Sequence, residues 1–257
     1  MTFQRLTIVI ACSVFGLYVL LVTGLFGFTD PTRFLSILSS ERVQFSIKLS
    51  IGAAALATLL SMTFGIPAGY ALSRYDFTGK RLVDLILELP LVVTPVALGA
   101  MLLIFFNTRI GEMLQSLGVP IVFAFSGIVL SQFVATVGLT TRMIKTTFDE
   151  IPPRFEVVAC TLGATSWQAF HTVTLPMARR GILAATILTF AKCIGEFGAT
   201  IMLAGSMPMR TETLPISIFM RLGSADIDGM AVMILLLLTV GLSMLLVIKS
   251  ILDVRHD

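Results

Sequence analysis

Six long apolar runs constrain this chain more than any other feature of its sequence. A bilayer core about 30 Å thick takes roughly 20 apolar residues as helix, and backbone polar groups cannot go unsatisfied in lipid, so each run must be helical. With 13% charged residues, the chain is about half as charged as a typical soluble domain. The sequence therefore predicts an all-α polytopic membrane protein with six transmembrane helices, at approximately 6–28, 45–73, 83–106, 121–141, 181–204 and 230–250.

The lysines and arginines between these runs predict the orientation. The first run is longer than the apolar core of a signal peptide, which has about 7–15 residues, and we interpret it as a retained span. With the N-terminus inside, eleven basic residues face inward and five outward, and the even number of spans returns the C-terminus inside. The chain is thus predicted to be one transmembrane domain, 1–257. The inner basic residues are Arg5, Arg74, Lys80, Arg81, Arg142, Lys145, Arg154, Arg179, Arg180, Lys249 and Arg255.

Charge and composition disfavour several classes of function. The net charge is +3, without a run of basic residues, so no nucleic-acid partner is expected. The three cysteines and two histidines lie far apart in the sequence and predict neither a disulfide framework nor a metal site. No acid–base constellation gathers near an interface, so we assign no catalytic residues. Gly79-Lys80 lacks the rest of a P-loop, so the chain itself is expected to bind no nucleotide or other cofactor.

The longest inner segment, 142–180, has helix boundaries of its own. Pro152-Pro153 blocks continuation of the preceding helix and allows a new one to begin near Pro153. Glu156 falls in its first turn, where a carboxylate complements the helix dipole. The helix is expected to run to about Leu162, with Gly163 as a left-handed C-cap.

A second short helix is predicted after this glycine, with Thr165 or Ser166 as its cap. Pro176 then begins the approach to the fifth span. The loop has more apolar surface than it can bury alone, which favours docking of a partner, although the helices could instead pack against the inner ends of the spans. The apolar residues concerned are Val157, Val158, Leu162, Trp167 and Phe170.

The spacing in this loop resembles the cytoplasmic motif of ABC importer permeases. That motif is Glu-Ala-Ala, three residues, Gly, nine residues, Ile, one residue and Leu-Pro. The chain keeps its spacing, but the glutamate comes one place early and a valine replaces an alanine. The resemblance implies a type I importer permease whose coupling loop, about 146–178, docks on an ATPase. We assign ATPase coupling to Glu156, Val158, Ala159, Gly163, Trp167, Leu175 and Pro176.

The same resemblance implies the partners and the location. Two copies of the permease subunit are expected to form the pathway in the cytoplasmic (inner) membrane, as a homodimer surrounded by the lipid bilayer. Two ATPase subunits would bind the inner loops and carry ATP and Mg, while an extracytoplasmic solute-binding protein would deliver the solute. Closure of the ATPase pair would then move the loops together and open the pathway outward.

The fifth span carries an unusual charge pair. Lys192 and Glu196 are four residues apart and share a helix face, and intramembrane charges are costly and usually face a cavity or each other. They could lie near the pathway or form an ion pair that fixes helix packing. Gly195 and Gly198 permit either close helix approach or a local break. We assign pathway or conformational roles to Lys192, Gly195, Glu196, Gly198, Thr200, Thr213 and Pro215.

Several motifs resemble the molybdate and sulfate branch of these permeases. They are the stretches 190–192 (Phe-Ala-Lys), 195–199 (Gly-Glu-Phe-Gly-Ala) and 211–215 (Thr-Glu-Thr-Leu-Pro). Thr94 stands where the branch commonly has a second proline, which predicts a more regular helix there. The resemblance implies molybdate or tungstate as the solute, with a sulfate or thiosulfate permease as the alternative. A secondary transporter is the rival of another class, and it would have internal repeats and interrupted helices.

Overall fold

The computed structural model describes residues 3–29, 31–116 and 118–253, and every element within these ranges is helical. The predicted inner residue Arg255 lies outside the described residues. A π-helical segment, Phe170–Thr174, lies between the α-helices Ser166–Ala169 and Leu175–Ile194. The α-helices are α1 (Phe3–Phe26), α2 (Pro31–Leu38), α3 (Glu41–Arg74), α4 (Lys80–Leu87), α5 (Leu89–Val92), α6 (Pro95–Phe106), α7 (Arg109–Ser116), α8 (Phe125–Asp149), α9 (Arg154–Thr161), α10 (Ser166–Ala169), α11 (Leu175–Ile194), α12 (Gly198–Ala204), α13 (Leu214–Gly223) and α14 (Ile227–Asp253).

Five continuous helical segments in the described part of the chain are long and apolar enough to cross a membrane. A sixth segment qualifies only as a broken pair of helices, 80–92 with 95–106, which is bent by 113° at the break. The all-α, polytopic prediction is confirmed, with six spans if the bent pair is counted as one. The continuous segments are Gln4–Phe26, Glu41–Arg74, Phe125–Asp149, Ser166–Ile194 and Ile227–Met244.

The predicted third span, 83–106, is wrong as one regular helix. Thr94 is extended, with φ −63° and ψ 147°, and its hydroxyl oxygen accepts a hydrogen bond from the Ala97 backbone N–H at 3.3 Å. The reason lies in Pro95, because proline disfavours helical geometry in the residue before it. Thr94 therefore caps α6 and lies at the break in this span. The more regular helix that the sequence predicts at Thr94 is wrong.

The predicted fifth span, 181–204, is also divided. Its first part begins far earlier than expected, because α10, the π-helical segment and α11 form one continuous rod from Ser166 to Ile194. The rod ends at Gly195, and α12 begins at Gly198. The second short helix predicted in the inner loop is therefore the start of this span.

Helix α8 is the centre of the bundle and packs against α3, α11 and α12. Buried hydroxyls connect it to each of them, which is one way in which helices associate where burial from water supplies no driving force. The hydroxyl oxygens of three pairs lie within hydrogen-bond distance: Ser61 with Thr136 at 3.0 Å, Thr140 with Thr189 at 2.8 Å, and Ser131 with Thr200 at 3.1 Å.

The segment 205–229, which joins the predicted fifth and sixth spans, is partly buried in the bundle. It contains α13, and its residues 211–217 are buried in the bundle. The Leu214 backbone N–H donates to Ser50 Oγ at 2.8 Å, which attaches this segment to α3. Glu212 is also buried and accepts two hydrogen bonds from the Arg42 guanidinium, at 2.8 and 3.0 Å.

Candidate functional site

The inner loop folds as its helix-boundary residues predict. Helix α9 begins at Arg154, directly after the two prolines, and ends at Thr161. Gly163 follows with φ +96°, the left-handed region in which other residues are strained. Thr165 then forms a capping box: its Oγ1 accepts from the Gln168 N–H at 3.3 Å, and its own N–H donates to Gln168 Oε1 at 2.8 Å.

An apolar surface remains open on this loop, and we call it the α9 surface. Leu162 has 85% of its surface exposed and Trp167 has 68%. Val157 and Val158 on α9 are exposed as well. Large apolar side chains that cluster in the open mark interaction sites. The loop also packs on the spans, because Phe170 contacts the aromatic rings of Tyr70 and Phe148. One part of the loop is therefore open to a partner, and another part packs against the inner ends of the spans.

Glu156 does not belong to that open surface. Its carboxylate accepts hydrogen bonds from Tyr70 at 2.8 Å, from Arg74 Nε at 2.9 Å and from Thr174 at 2.7 Å. Arg74 also donates from Nη2 to the Ile151 carbonyl oxygen at 2.8 Å. We call this group of residues the Glu156 latch. It attaches α9 to the inner end of α3 and to the base of the rod that becomes the fifth span.

The latch holds Glu156 in its charged form. Burial of the carboxyl raises its pKa, but the hydrogen bonds from Thr174, Tyr70 and Arg74, with the Arg74 charge, outweigh burial, so the pKa of Glu156 lies below its ordinary value. A carboxylate stabilised in this way is a fixed attachment point. No local sequence pattern predicts that Glu156 is held in this way, although the four-residue spacing of Tyr70 and Arg74 places both on one face at the inner end of α3.

The lowered pKa predicts how the latch responds to acid. The contribution of Glu156 to stability should be fully present above its ordinary pKa of 4.5 and should disappear as the pH falls through the lowered, folded-state pKa. Trp167 is the single tryptophan of the chain and lies in this loop, so its fluorescence can be followed from neutral pH downward. We expect an acid transition in the wild type that is absent from Glu156→Gln. Identical titration curves for the two proteins would contradict the assignment.

Substitution of Gly163 tests the turn separately from the surface. A Cβ at this position would meet no other atom within 4 Å, so the expected cost comes from the positive φ alone. We predict that Gly163→Ala lowers the free energy of unfolding by about 1–2 kcal/mol. Gly163→Pro should be worse, because proline fixes φ near −65°. Thermal unfolding in detergent checks the first effect, and an alanine variant as stable as the wild type would contradict it.

The other predicted coupling residues lie around the α9 surface and the base of the rod. Ala159 is half-buried on α9. Leu175 is half-buried and Pro176 exposed, both in the first turn of α11. The structure therefore brings the predicted coupling residues together in one region, but it divides them into an exposed set and an anchoring set.

The predicted mid-membrane residues surround the break between α11 and α12. Lys192 Nζ lies 3.7 Å from Glu196 Oε2, and Glu196 Oε1 accepts a hydrogen bond from the Ala199 N–H at 3.1 Å. Gly195 lies at the break itself, while Gly198 allows α12 to approach α6, because a Cβ there would come within 2.9 Å of Pro95 Cβ. Of the two roles considered for the glycines, Gly195 therefore provides the local break and Gly198 permits the close helix approach.

Thr200, Thr213 and Pro215 do not join this cluster as one site. Thr200 is buried and contacts Ser131 on α8. Thr213 is buried before α13 with no hydrogen-bond partner for its hydroxyl among the described residues, and Pro215 is buried beside it. Thr200, Thr213 and Pro215 are therefore buried between helices.

A polar cavity of about 350 Å³ lies at the other end of the molecule. Its two arginines are already paired, Arg42 with Glu212 at 2.8 Å and Arg221 with Asp226 at 2.6 Å. The cavity is therefore lined by balanced charges, which attract an anion less than unpaired arginines would.

Comparison with known proteins places these features in context. A family model described as the binding-protein-dependent transport system inner membrane component matches residues 61–255. The chain is 39% identical over 177 residues to the molybdenum transport system permease protein ModB of Escherichia coli (strain K12), covering 68% of this chain and 77% of that protein. It is 34% identical to a probable molybdenum ABC transporter permease protein of Haloferax volcanii, over 97% of this chain and 90% of that protein.

A sulfate relative and solved structures extend the comparison. The sulfate transport system permease protein CysW of Synechocystis sp. is 32% identical, covering 99% of this chain and 95% of that protein. A bacterial ABC transporter that imports alginate has the same fold, with a TM-score of 0.79 at 18% identity over 99% of this chain and 96% of that one. The methionine transporter MetNI, in an inward-facing conformation, also has this fold, with a TM-score of 0.67 at 17% identity. The match covers 85% of this chain and 100% of that one.

Proposed function

Since the chain belongs to the family of binding-protein-dependent transport system inner membrane components, we propose that it forms the membrane pathway of an ABC importer for a tetrahedral oxyanion. The chain is a multi-pass permease component with the fold of type I ABC importer permeases. Molybdenum and sulfate permeases are among its relatives, which supports an oxyanion as the solute. The family description supports the inner membrane as its location.

The α9 surface is the observation that carries the proposed energy coupling. Its exposed residues, such as Leu162 and Trp167, offer an apolar face on the predicted cytoplasmic side, and the Glu156 latch connects that face to two spans. A separate ATPase subunit docked on this face could move both spans when it closes. ATP and Mg would be bound by that subunit, and this chain would carry no cofactor.

Two further partners belong to the proposal. A second copy of the chain would complete the pathway as a homodimer, and an extracytoplasmic solute-binding protein would deliver the oxyanion at the outer face. The solved alginate transporter, whose fold this chain shares, was captured in complex with a periplasmic protein that carries an alginate pentasaccharide. That complex supports the kind of partner expected here.

Molybdate, with tungstate as its close analogue, is the solute we propose. Identity to the molybdenum permeases reaches 39% in Escherichia coli and 34% in Haloferax volcanii, against 32% for the sulfate permease of Synechocystis. The test is ATP-driven uptake of labelled molybdate into proteoliposomes that contain the permease, its ATPase and its binding protein. Competition by unlabelled tungstate but not by sulfate supports the proposal. Competition by sulfate would assign the chain to sulfate or thiosulfate transport.

The two broken spans favour a second candidate, a secondary transporter. Interrupted helices near the middle of the membrane are typical of that class, and this chain has breaks before Pro95 and at Gly195. The family match and the α9 surface support the ABC importer instead. A transporter of the rival class would use an ion gradient and would need no ATPase subunit.

A further inference from the structure

Lys192 and Glu196 lie at a level far from both ends of the long helix α3. The neighbouring Cys193 belongs to the same buried cluster as Ala57. Ala57 lies 16 residues after the first residue of α3, Glu41, and 17 residues before its last, Arg74. At 1.5 Å per residue, this level is about 25 Å from either end of α3. The charge pair is therefore far from both polar surfaces.

The two members of the pair are exposed very differently. The Glu196 side chain has 3% of its surface exposed and the Lys192 side chain has 46%. One Glu196 oxygen is occupied by the Ala199 N–H, while the other lies 3.7 Å from Lys192 Nζ. An ammonium–carboxylate hydrogen bond is usually about 2.7–2.9 Å long. The carboxylate is thus enclosed behind the ammonium, which retains donors for another partner.

The surface around Lys192 leaves space for such a partner. Gly195, three residues later, is also exposed, and a Cβ there would meet only the carbonyl oxygen of Ala191 in the same helix, at 3.6 Å. A half-exposed ammonium that faced lipid at this depth would be costly, so charged groups here usually face a cavity. This face of α11 is therefore expected to border the water-filled pathway.

We propose that Lys192 contacts the oxyanion midway through the membrane, an inference that rests on the proposed transport function. The ammonium would exchange its loose contact with Glu196 for hydrogen bonds to the anion. Glu196, held in place by the Ala199 N–H, would then compete for the ammonium and release the anion. Such weak, shared binding suits a pathway, because a solute that bound tightly could not leave.

Substitution of Lys192 tests this inference in the reconstituted importer. We expect Lys192→Met to lower the rate of molybdate uptake at limiting molybdate by about tenfold or more, because a fixed charge concentrates its counter-ion. Lys192→Arg should remain within about threefold of the wild type, because it keeps the positive charge. Lys48→Met is the matched control, since Lys48 is an exposed lysine of α3 that lies near the start of this helix, on the predicted outer side. Its uptake should equal that of the wild type.

A double variant separates anion contact from a purely structural ion pair. Lys192→Met with Glu196→Gln leaves no buried charge uncompensated, so a structural role predicts recovery of uptake, whereas anion contact predicts none. Recovery in the double variant, or wild-type uptake by Lys192→Met, would overturn the inference. Lys192→Gln gives the same comparison if methionine impairs assembly with the ATPase. A wild-type importer that takes up no oxyanion would instead count against the proposed function.

Discussion

Replacing Glu156 with alanine is expected to reduce energised uptake strongly while the spans remain folded. The change removes three hydrogen bonds and leaves the Arg74 guanidinium, whose side chain is 8% exposed, without its carboxylate. Removal of one partner from a buried pair costs about 3 kcal/mol or more. Helix α9 should then detach from α3, so ATPase movement would no longer reach the spans. Uptake should fall by at least about tenfold, since that energy exceeds the 1.4 kcal/mol equivalent to a factor of ten.

Amide hydrogen exchange locates this effect in the molecule. Protection of backbone amides from exchange should be lost in α9. It should be kept in α8, because the Glu156 latch has no residue in that helix. Glu156→Gln is the matched control, because it keeps the side-chain volume and an acceptor oxygen while removing the charge, and its loss of uptake should be smaller. Normal uptake by Glu156→Ala, with normal assembly, would rule out a coupling role for the latch.

The second large effect is expected at the α9 surface. Leu162→Asp places a charge where 85% of an apolar side chain is exposed, and the spans should tolerate it because nothing in the bundle packs there closely. Loss of a central interface contact costs about 2 kcal/mol, which corresponds to roughly 30-fold weaker binding of the ATPase subunit. Titration of the purified permease with its ATPase in detergent measures the change.

A control on the other inner connection makes this result specific. Phe77 is exposed in the segment between α3 and α4, so Phe77→Asp introduces the same charge on the same predicted side of the membrane. Its ATPase affinity should match the wild type. If Leu162→Asp binds the ATPase as tightly as Phe77→Asp does, the α9 surface is not the docking site.

The inner loop was predictable because its boundaries follow local rules. Two prolines, a glycine with positive φ and a threonine cap act within a few residues of the positions that they control. The break at Thr94 was open to the same kind of argument, since Pro95 follows it directly. A threonine in place of a second proline does not restore a regular helix, because Pro95 alone is enough to break it.

The role of Glu156 was beyond the reach of local rules. Its spacing to Gly163 suggested a residue that faces a partner, whereas Tyr70, one of its hydrogen-bond donors, is 86 residues away in the chain. The Lys192–Glu196 pair shows the same limit. Helical spacing predicted that the two charges meet, but only the tertiary packing decides that Glu196 is the buried one.

The central claim is that uptake of an oxyanion through this chain is driven by a separate ATPase. The most direct measurement is molybdate uptake into proteoliposomes with and without the ATPase subunit, supplied either with internal ATP or with an imposed ion gradient. The account predicts uptake only when both ATP and the ATPase subunit are present. Uptake driven by the gradient in the absence of the ATPase would contradict it and would place the chain among the secondary transporters.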